Sequence, residues 1–269
     1  MKDTVGHSLP PGVRNGKVLV VGVGGLGCPA ALALARAGVG TIGLVDPDVV
    51  ELSNLQRQIL HAMSDLGRPK VHSAREKLLH INPTLSVIPY QERLGIENLS
   101  ELFQHYDFII DGTDGISTKF LINDGAVLMQ KPFSYAGAVQ FQGQTMTVLP
   151  RKSTCLRCWF PIPPAEDEIP TCQESGVVGS LVGSMGMIQA TEAVKHLSGE
   201  GELLTDRLLT YDALTLRWRE IRVQRSRHCP LCGEDPTISS LYSGMQTQGA
   251  ACSHRDAKTP RAKMMEELT

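Results

Sequence analysis

Two groups of residues in this chain could do chemistry, and they are of different kinds. Gly22-Val23-Gly24-Gly25-Leu26-Gly27 is a glycine-rich turn, followed at a distance by Asp46, Arg57, Lys70 and Asp114. Cys155-x-x-Cys158 and Cys229-x-x-Cys232 belong to the second half. Gly22, Gly24 and Gly27 fit the pattern G-x-G-x-x-G. Glycine there permits a tight turn and close approach of the backbone, and the amides of a following helix face phosphate. Asp46 lies about 19 residues beyond Gly27, a spacing that suits a carboxylate gripping ribose hydroxyls. That much says only nucleotide, with a dinucleotide as the default. Arg57 and Lys70 change the reading. Hydride transfer has no use for cations near the cofactor's phosphates, whereas cleaving a triphosphate needs negative charge held while pyrophosphate leaves. Either cation taken alone reads as a solvated surface charge; the surrounding pattern is what gives it a role.

The cysteines carry the second kind of chemistry. Cys155, Cys158, Cys229 and Cys232 offer a four-thiolate tetrahedral set, which holds Zn²⁺ with no open position and is therefore structural. The N-terminus has no apolar run of the secretory type, and paired Cys-x-x-Cys motifs in such a chain favour metal over disulfides. The expected setting is a reduced cytoplasm. Cys172 stands in a proline-rich loop just before a long helix, where helix-end amides lower a thiol pKa. Two readings stay open for it, a reactive thiolate and a dispensable residue. Cys28 and Cys252 read as bystanders.

These residues need elements to position them. Lys17 to Val21 is a β-branched apolar run, hence a buried strand. Cys28 to Ala37 is Ala/Leu-rich and helical, and Thr41 to Val45 is a strand ending at Asp46, so the glycine turn sits inside a βαβ unit. Lys70 to His80 and Ser117 to Met129 read as helices, Leu85 to Pro89 and Asp107 to Ile110 as strands, and Phe133 to Leu149 as a hairpin-like pair. Asp111 reads as a structural strand-end cap more than as a ligand. After Pro150 comes a cysteine- and proline-bearing loop region, then a long helix over Val177 to Leu197 and strands over Leu208 to Tyr211 and Leu216 to Val223. Gly179, Gly183 and Gly186 give that helix one nearly bare face, open to close core packing or to a dimer partner. The expected organisation is a flexible arm over 1–16, a nucleotide-binding Rossmann-like region over 17–150, a zinc-bearing region of the same domain over 151–232, and a disordered tail over 233–269.

Bulk composition narrows the classes further. The 269 residues are 42% hydrophobic and 20% charged, ordinary for a globular chain with a real core. A formal net charge of −2 implies no general attraction to nucleic acid or to an anionic membrane. The longest apolar stretch, Val177 to Ala190, falls short of the ~20 residues a bilayer span requires.

Taken together, the motifs resemble the ThiF/MoeB/HesA family, bacterial relatives of ubiquitin-activating enzymes. The resemblance runs over residues 17–232. It is carried by Gly22-to-Gly27, Asp46-x-Asp48, Ser53-Asn54-Leu55-Gln56-Arg57-Gln58, Gly67-Arg68-Pro69-Lys70, Gly112-Thr113-Asp114, both Cys-x-x-Cys pairs and Thr171-Cys172-Gln173-Glu174-Ser175-Gly176-Val177. It implies an α/β fold: a Rossmann-like, mostly parallel sheet with helices on both faces, a β-rich zinc-bearing C-terminal extension, and a homodimer. The implied reaction is ATP-dependent adenylation of the C-terminal glycine of a small β-grasp, ubiquitin-like carrier ending in Gly-Gly, of the thiamine or molybdopterin pathway type, followed by sulfur transfer. The resemblance assigns the nucleotide to Gly22, Gly24, Gly25, Gly27, Asp46, Asp48, Ser53, Asn54, Leu55, Gln56, Arg57, Lys70, Asp114 and Gly115. It gives catalysis to Arg57, Lys70, Asp114 and Cys172, and Mg²⁺ to Asp114, since a hard cation prefers carboxylate oxygen.

Two positions depart from the family. Its usual N-terminal arm with an Arg-Tyr-x-Arg-like motif does not occur here, and Arg14 stands too close to the first strand to replace it. The expectation is either catalysis without that arginine or a true start upstream. Gly115 stands where the family often has Asn. This sequence holds no rhodanese-like domain, so sulfur is expected from a separate donor such as a cysteine desulfurase or a rhodanese. The competing readings are adenylation of another carboxylate, such as a peptide C-terminus, and a nucleotide-binding scaffold weakened in catalysis. An NAD-dependent dehydrogenase is more distant.

Overall fold

The computed structural model describes residues 10–165 and 176–242. Its centre is an eight-stranded sheet in the order β3-β2-β1-β4-β5-β6-β7-β8. The strands are β1 (Lys17–Val21), β2 (Thr41–Val45), β3 (Ser86–Tyr90), β4 (Phe108–Asp111), β5 (Phe133–Val139), β6 (Gln142–Val148), β7 (Arg207–Asp212) and β8 (Arg217–Arg222). β3, β2, β1, β4 and β5 run parallel, and β5 to β8 pair antiparallel. The mostly parallel sheet and the β-rich extension are thus one continuous sheet.

The helices are α1 (Pro11–Asn15), α2 (Gly27–Arg36), α3 (Lys70–Ile81), α4 (Ile96–Gln104), α5 (Ile116–Leu128), α6 (Leu156–Trp159) and α7 (Gly179–Ser198). They cover two faces of the sheet. Leu19, Phe103, Phe120 and Phe133 belong to one apolar cluster, and Val18, Val20, Leu34 and Phe108 to another. Because successive strand residues point to opposite faces, Leu19 and Val20 feed different clusters. That is why the β1 sequence is an unbroken apolar run rather than an alternating one.

Several readings of the sequence are corrected in detail. The loose arm reads differently over its described part: Pro11–Asn15 is helical, with Val13 buried and proline at the first turn, where its missing N–H costs nothing. The start of the expected tail is also packed, since Ile238 is buried and Leu241 lies against the core. α4 has no counterpart in the sequence reading, although Leu99, Leu102 and Phe103 form its buried face. The bare face of α7 divides. A Cβ on Gly186 would stand 2.2 Å from the Leu26 carbonyl oxygen and one on Gly179 2.6 Å from that of Gln56, whereas one on Gly183 meets nothing within 4 Å. Gly186 and Gly179 therefore serve close packing inside the chain.

Candidate active site and cysteine centre

The parallel strands end in register. Val21 pairs with both Val45 and Asp111, so the residues that follow, Gly22, Asp46 and Gly112, come together at one edge. The chain leaves β1 toward β2 and β3, then returns to place β4 on the other side of β1. That reversal is where open α/β sheets bind ligands, outside the carboxyl ends of the strands. Gly22 has φ +88, and a Cβ there would lie 2.7 Å from the Gly112 carbonyl oxygen, so no other residue fits the crossing of the two loops.

A cavity of about 1340 Å³ opens at this edge. Gly22, Gly24, Gly25, Asp46, Asp48, Asn54, Arg57, Lys70, Asp114 and Gly115 all line it. Gly27, Ser53, Leu55 and Gln56, expected among the nucleotide residues, do not. Gly27, Ser53 and Gln56 serve the local structure instead. A Cβ on Gly27 would stand 1.8 Å from the Gly22 carbonyl oxygen, so this glycine lets α2 start directly under the turn. The Ser53 carbonyl accepts from Arg57 Nη1 at 3.2 Å and so aims that side chain, and the Gln56 carbonyl packs under Gly179. Arg14 is exposed on α1, away from the cavity.

The charges at the nucleotide end are arranged and only partly matched. Asp46 is buried; its Oδ2 accepts from the Val23 amide at 2.7 Å and its Oδ1 from the Asp48 amide at 2.9 Å. Lys70 Nζ donates to Asp48 Oδ2 at 2.9 Å and stands 3.9 Å from Asp46 Oδ1. Burial pushes the Asp46 carboxyl above its ordinary value, and the charge of Lys70 opposes that. Asp114 is exposed on the loop after β4. Beneath this loop is a residue pair the sequence reading missed. Lys119 and Asp111 are both buried and meet at 3.0 Å, while Asp111 Oδ1 accepts from the amide and hydroxyl of Thr113. Lys119 Nζ also donates to the carbonyls of Thr113 and Ala136. Asp111 is thus the strand-end cap expected of it, with Lys119 tying the Asp114 loop to β5. Gly115 caps α5 without a side chain, and a Cβ there would meet only Thr118 Oγ1, at 3.7 Å. Space for the family's larger residue is therefore present.

Beyond the nucleotide end, the cavity runs on over β5 and β6, past Gly137, Ala138 and Gly143, to Thr210, Asp212, Arg217 and Arg219 on β7 and β8. Val177 joins the wall where the Gln140 amide donates to the Gly176 carbonyl. Cys172 and Cys252 lie outside the described residues. Cys28 is fully buried, with its thiol donating to the Val23 carbonyl; burial pushes its pKa up to about 12, which leaves it inert.

The four remaining cysteines converge as the sequence requires. Cys155 Sγ lies 3.9 Å from Cys158, 3.7 Å from Cys229 and 3.5 Å from Cys232, and all four sulfurs lie within 4.8 Å of one another. A tetrahedral centre with Zn–S of about 2.3 Å sets sulfurs roughly 3.8 Å apart, so the cluster has the dimensions of a zinc site. Hydrogen bonds from Cys155, Cys229 and Cys232 hold the Cys158 thiol far below its ordinary range. Arg157, between the first two cysteines, is completely buried. Its Nε and Nη2 meet both oxygens of Asp124 on α5, at 3.1 and 2.6 Å. The Leu156 amide donates to the neighbouring Asn123.

The ThiF family model matches residues 4–231. The chain belongs to the ThiF family. It is 42% identical over 234 residues to the sulfur carrier protein adenylyltransferase of Thermus thermophilus, covering 85% of this chain and 86% of that one. It is 41% identical over 244 residues to the adenylyltransferase and sulfurtransferase MOCS3 of Danio rerio, and 40% over 253 to the probable adenylyltransferase/sulfurtransferase MoeZ of Mycobacterium tuberculosis. Those matches cover 90% and 93% of this chain but 53% and 64% of the relatives, so the chain spans just over half to about two thirds of their length. Among solved structures, Escherichia coli MccB with ATP superposes with a TM-score of 0.71 at 22% identity, over 82% of this chain and 68% of that one, which establishes the fold. No helix among the described residues is long and apolar enough to cross a membrane.

Proposed function

We propose that this chain adenylates the C-terminal glycine of a small β-grasp sulfur carrier ending in Gly-Gly. The observation that carries this reading is one continuous cavity, which runs from the glycine turn past Gly137, Ala138 and Gly143 to β7 and β8, a path that suits an extended tail. The 42% identity to the Thermus sulfur carrier protein adenylyltransferase supports the same substrate class.

In this reading, Asp46 accepts hydrogen bonds from ribose, and the amides of the glycine turn face the phosphates. Asn54, Arg57 and Lys70 hold the triphosphate. A carboxylate oxygen of the carrier attacks the α-phosphorus, the bond from that phosphorus to the bridging oxygen breaks, and pyrophosphate leaves with the electron pair. Arg57 and Lys70 offset the charge gathering on the departing group. Positioning and charge account for most of the acceleration, because phosphoryl-type transfer asks little covalent help of the protein. Asp114 is the residue to hold Mg²⁺, which supplies further neutralisation of the phosphates. The terminal sulfur of a separate persulfide donor then attacks the acyl carbon as the C–O bond to AMP breaks, leaving an acyl disulfide. A thiol, for which Cys172 is a candidate, attacks the donor-side sulfur, so that the carrier thiocarboxylate leaves and a disulfide forms with the donor.

Cys155, Cys158, Cys229 and Cys232 would hold one structural Zn²⁺. The exposed Leu52, Ile59 and Met63, beside the nucleotide-end segment, favour a homodimer, because burying such side chains against a second copy is favourable. Intact-mass analysis of a β-grasp carrier incubated with ATP, Mg²⁺ and the protein tests the proposal. A carrier carrying an adenylyl group that hydroxylamine removes is the expected product. A carrier mass unchanged by ATP, across carriers ending in Gly-Gly, would reject it.

A further inference from the structure

His61 is buried behind the glycine turn, on the loop that leads to α3, and does not line the cavity. Its contacts nevertheless end on the turn. Nε2 stands 3.3 Å from the Val23 carbonyl oxygen, and Nδ1 3.0 Å from Ser73 Oγ on α3. These partners fix the tautomer. A carbonyl only accepts, so the ring proton is on Nε2, and burial disfavours a second one. Ser73 Oγ receives a hydrogen bond from Lys77 Nζ at 3.1 Å, which leaves its own proton for Nδ1. Lys77 is tied in turn to Asp65. A chain of donors thus runs from Lys77 through Ser73 and His61 to one backbone carbonyl. The Cys28 thiol reaches the same oxygen at 3.3 Å.

What that carbonyl does follows from peptide geometry. The peptide bond is trans, so the Val23 C=O and the Gly24 N–H lie in one plane and point in opposite directions. The carbonyl points inward, at the buried His61 and Cys28. The Gly24 N–H therefore points outward, on the side of the cavity that Gly24 lines. This amide has no acceptor among the described residues. On the other side of Val23, its own amide is held by Asp46 Oδ2 at 2.7 Å. Glycine at position 24 lets the plane between Val23 and Gly24 rotate at little steric cost. Turned over, that plane would present its carbonyl oxygen to the cavity and repel a phosphate instead of binding it.

We propose that His61 is a positioning residue: its Nε2–H holds the Val23 carbonyl inward and so keeps the Gly24 N–H aimed at a phosphate of the bound nucleotide. This rests on the reading of the cavity as an ATP site. The test is calorimetric binding of ATP, and of adenosine, which has no phosphate, to the protein, to His61→Phe and to His61→Gln. Phenylalanine keeps a ring and removes the donor, whereas glutamine carries an amide N–H that can stand in for Nε2–H. Neither former partner is stranded by the change, because the Val23 carbonyl keeps the Cys28 thiol and Ser73 keeps Lys77. His61→Phe should bind ATP on the order of tenfold more weakly, since a thiol is a weak donor, and should bind adenosine as before. His61→Gln should return ATP affinity to within about twofold of the unsubstituted protein. Equal losses for ATP and adenosine in His61→Phe, with a lowered unfolding midpoint, would make His61 a packing residue and overturn the proposal. Unchanged ATP affinity in His61→Phe overturns it too, as does a loss that glutamine does not restore. A second measurement needs no variant to fold: in the unsubstituted protein, the amide NMR resonance of Gly24 should shift on addition of ATP and stay in place with adenosine. A Gly24 resonance unmoved by saturating ATP contradicts the proposal. Failure of the unsubstituted protein to bind ATP would instead overturn the reading of the cavity, and the role of His61 with it.

Discussion

The two chemical regions of this molecule differ in how completely their polar groups are satisfied. Around Cys155 the polar groups are paired: four sulfurs share one centre, and the buried Arg157 meets both oxygens of the buried Asp124. At the glycine turn the opposite holds. Asp46 and Lys70 face a cavity at 3.9 Å rather than in a closed pair, and Asp114 is exposed. A saturated polar cluster contributes to the fold, whereas an unsaturated one keeps interaction energy for a ligand. Low dielectric amplifies both cases.

Breaking the saturated region should give the largest effects. Removal of metal by a strong chelator should leave four clustered sulfurs, and Cys155→Ser three, without a counter-charge, and either should lower the unfolding midpoint by roughly 10 °C or more, consistent with the ~10–16 kcal/mol apparent affinity of structural zinc sites. Metal analysis should find one zinc per chain; a metal-free protein of unchanged stability would remove the zinc assignment. Next in size is Asp124→Ala, which strands the Arg157 guanidinium in the core. It should cost about 3–5 kcal/mol in denaturant unfolding, as for other broken buried pairs. A cost under ~1 kcal/mol, the range of exposed pairs, would mean that the knuckle is not anchored through this pair.

The unsaturated region should respond in function and hardly at all in stability. Arg57→Ala removes a half-exposed side chain that donates to the Ser53 carbonyl. Adenylation should fall about 10²–10³-fold, the scale of losing one charge-stabilising group, with little change in unfolding midpoint. Equal turnover in the variant would remove Arg57 from the mechanism. The smallest effect sharpens the comparison from behind the glycine turn. His61 is buried between Ser73 and the Val23 carbonyl, and burial holds its pKa below the ordinary 6.5. The unfolded chain then binds the proton more readily, so this contribution is complete above pH 6.5 and is lost as pH falls toward the lowered value. His61→Gln should flatten that acid loss, whose slope is at most about 1.4 kcal/mol per pH unit for one proton. An unchanged profile would place the titration elsewhere.

How far all this was legible in the sequence followed the same division. Spacing in sequence is informative where local backbone geometry does the work: the glycine turn, Asp46 after β2 and the cysteine pairs all stand where their patterns put them. Lys119 was not legible, since a lone lysine in an apolar helix looks like a surface residue, and its partners Asp111 and Ala136 come from two different strands. The same holds for Arg157, whose carboxylate is contributed by α5. Ser53, Leu55 and Gln56 are the converse case, named by the motif but absent from the cavity lining. A motif names a contiguous stretch, but of Ser53-to-Gln58, which follows the irregular chain through the 3₁₀ turn Leu52–Asn54, only Asn54, Arg57 and Gln58 line the cavity. Helix boundaries shifted by a residue or two, as capping geometry commonly dictates.

The central claim is that the cavity activates a carrier carboxylate with ATP, and ATP–pyrophosphate exchange measures it most directly. Exchange with Mg²⁺ should appear only when a β-grasp carrier is present and should vanish when its terminal Gly-Gly is deleted. Exchange without any carrier, or no exchange with any Gly-Gly carrier while ATP still binds, would contradict the account.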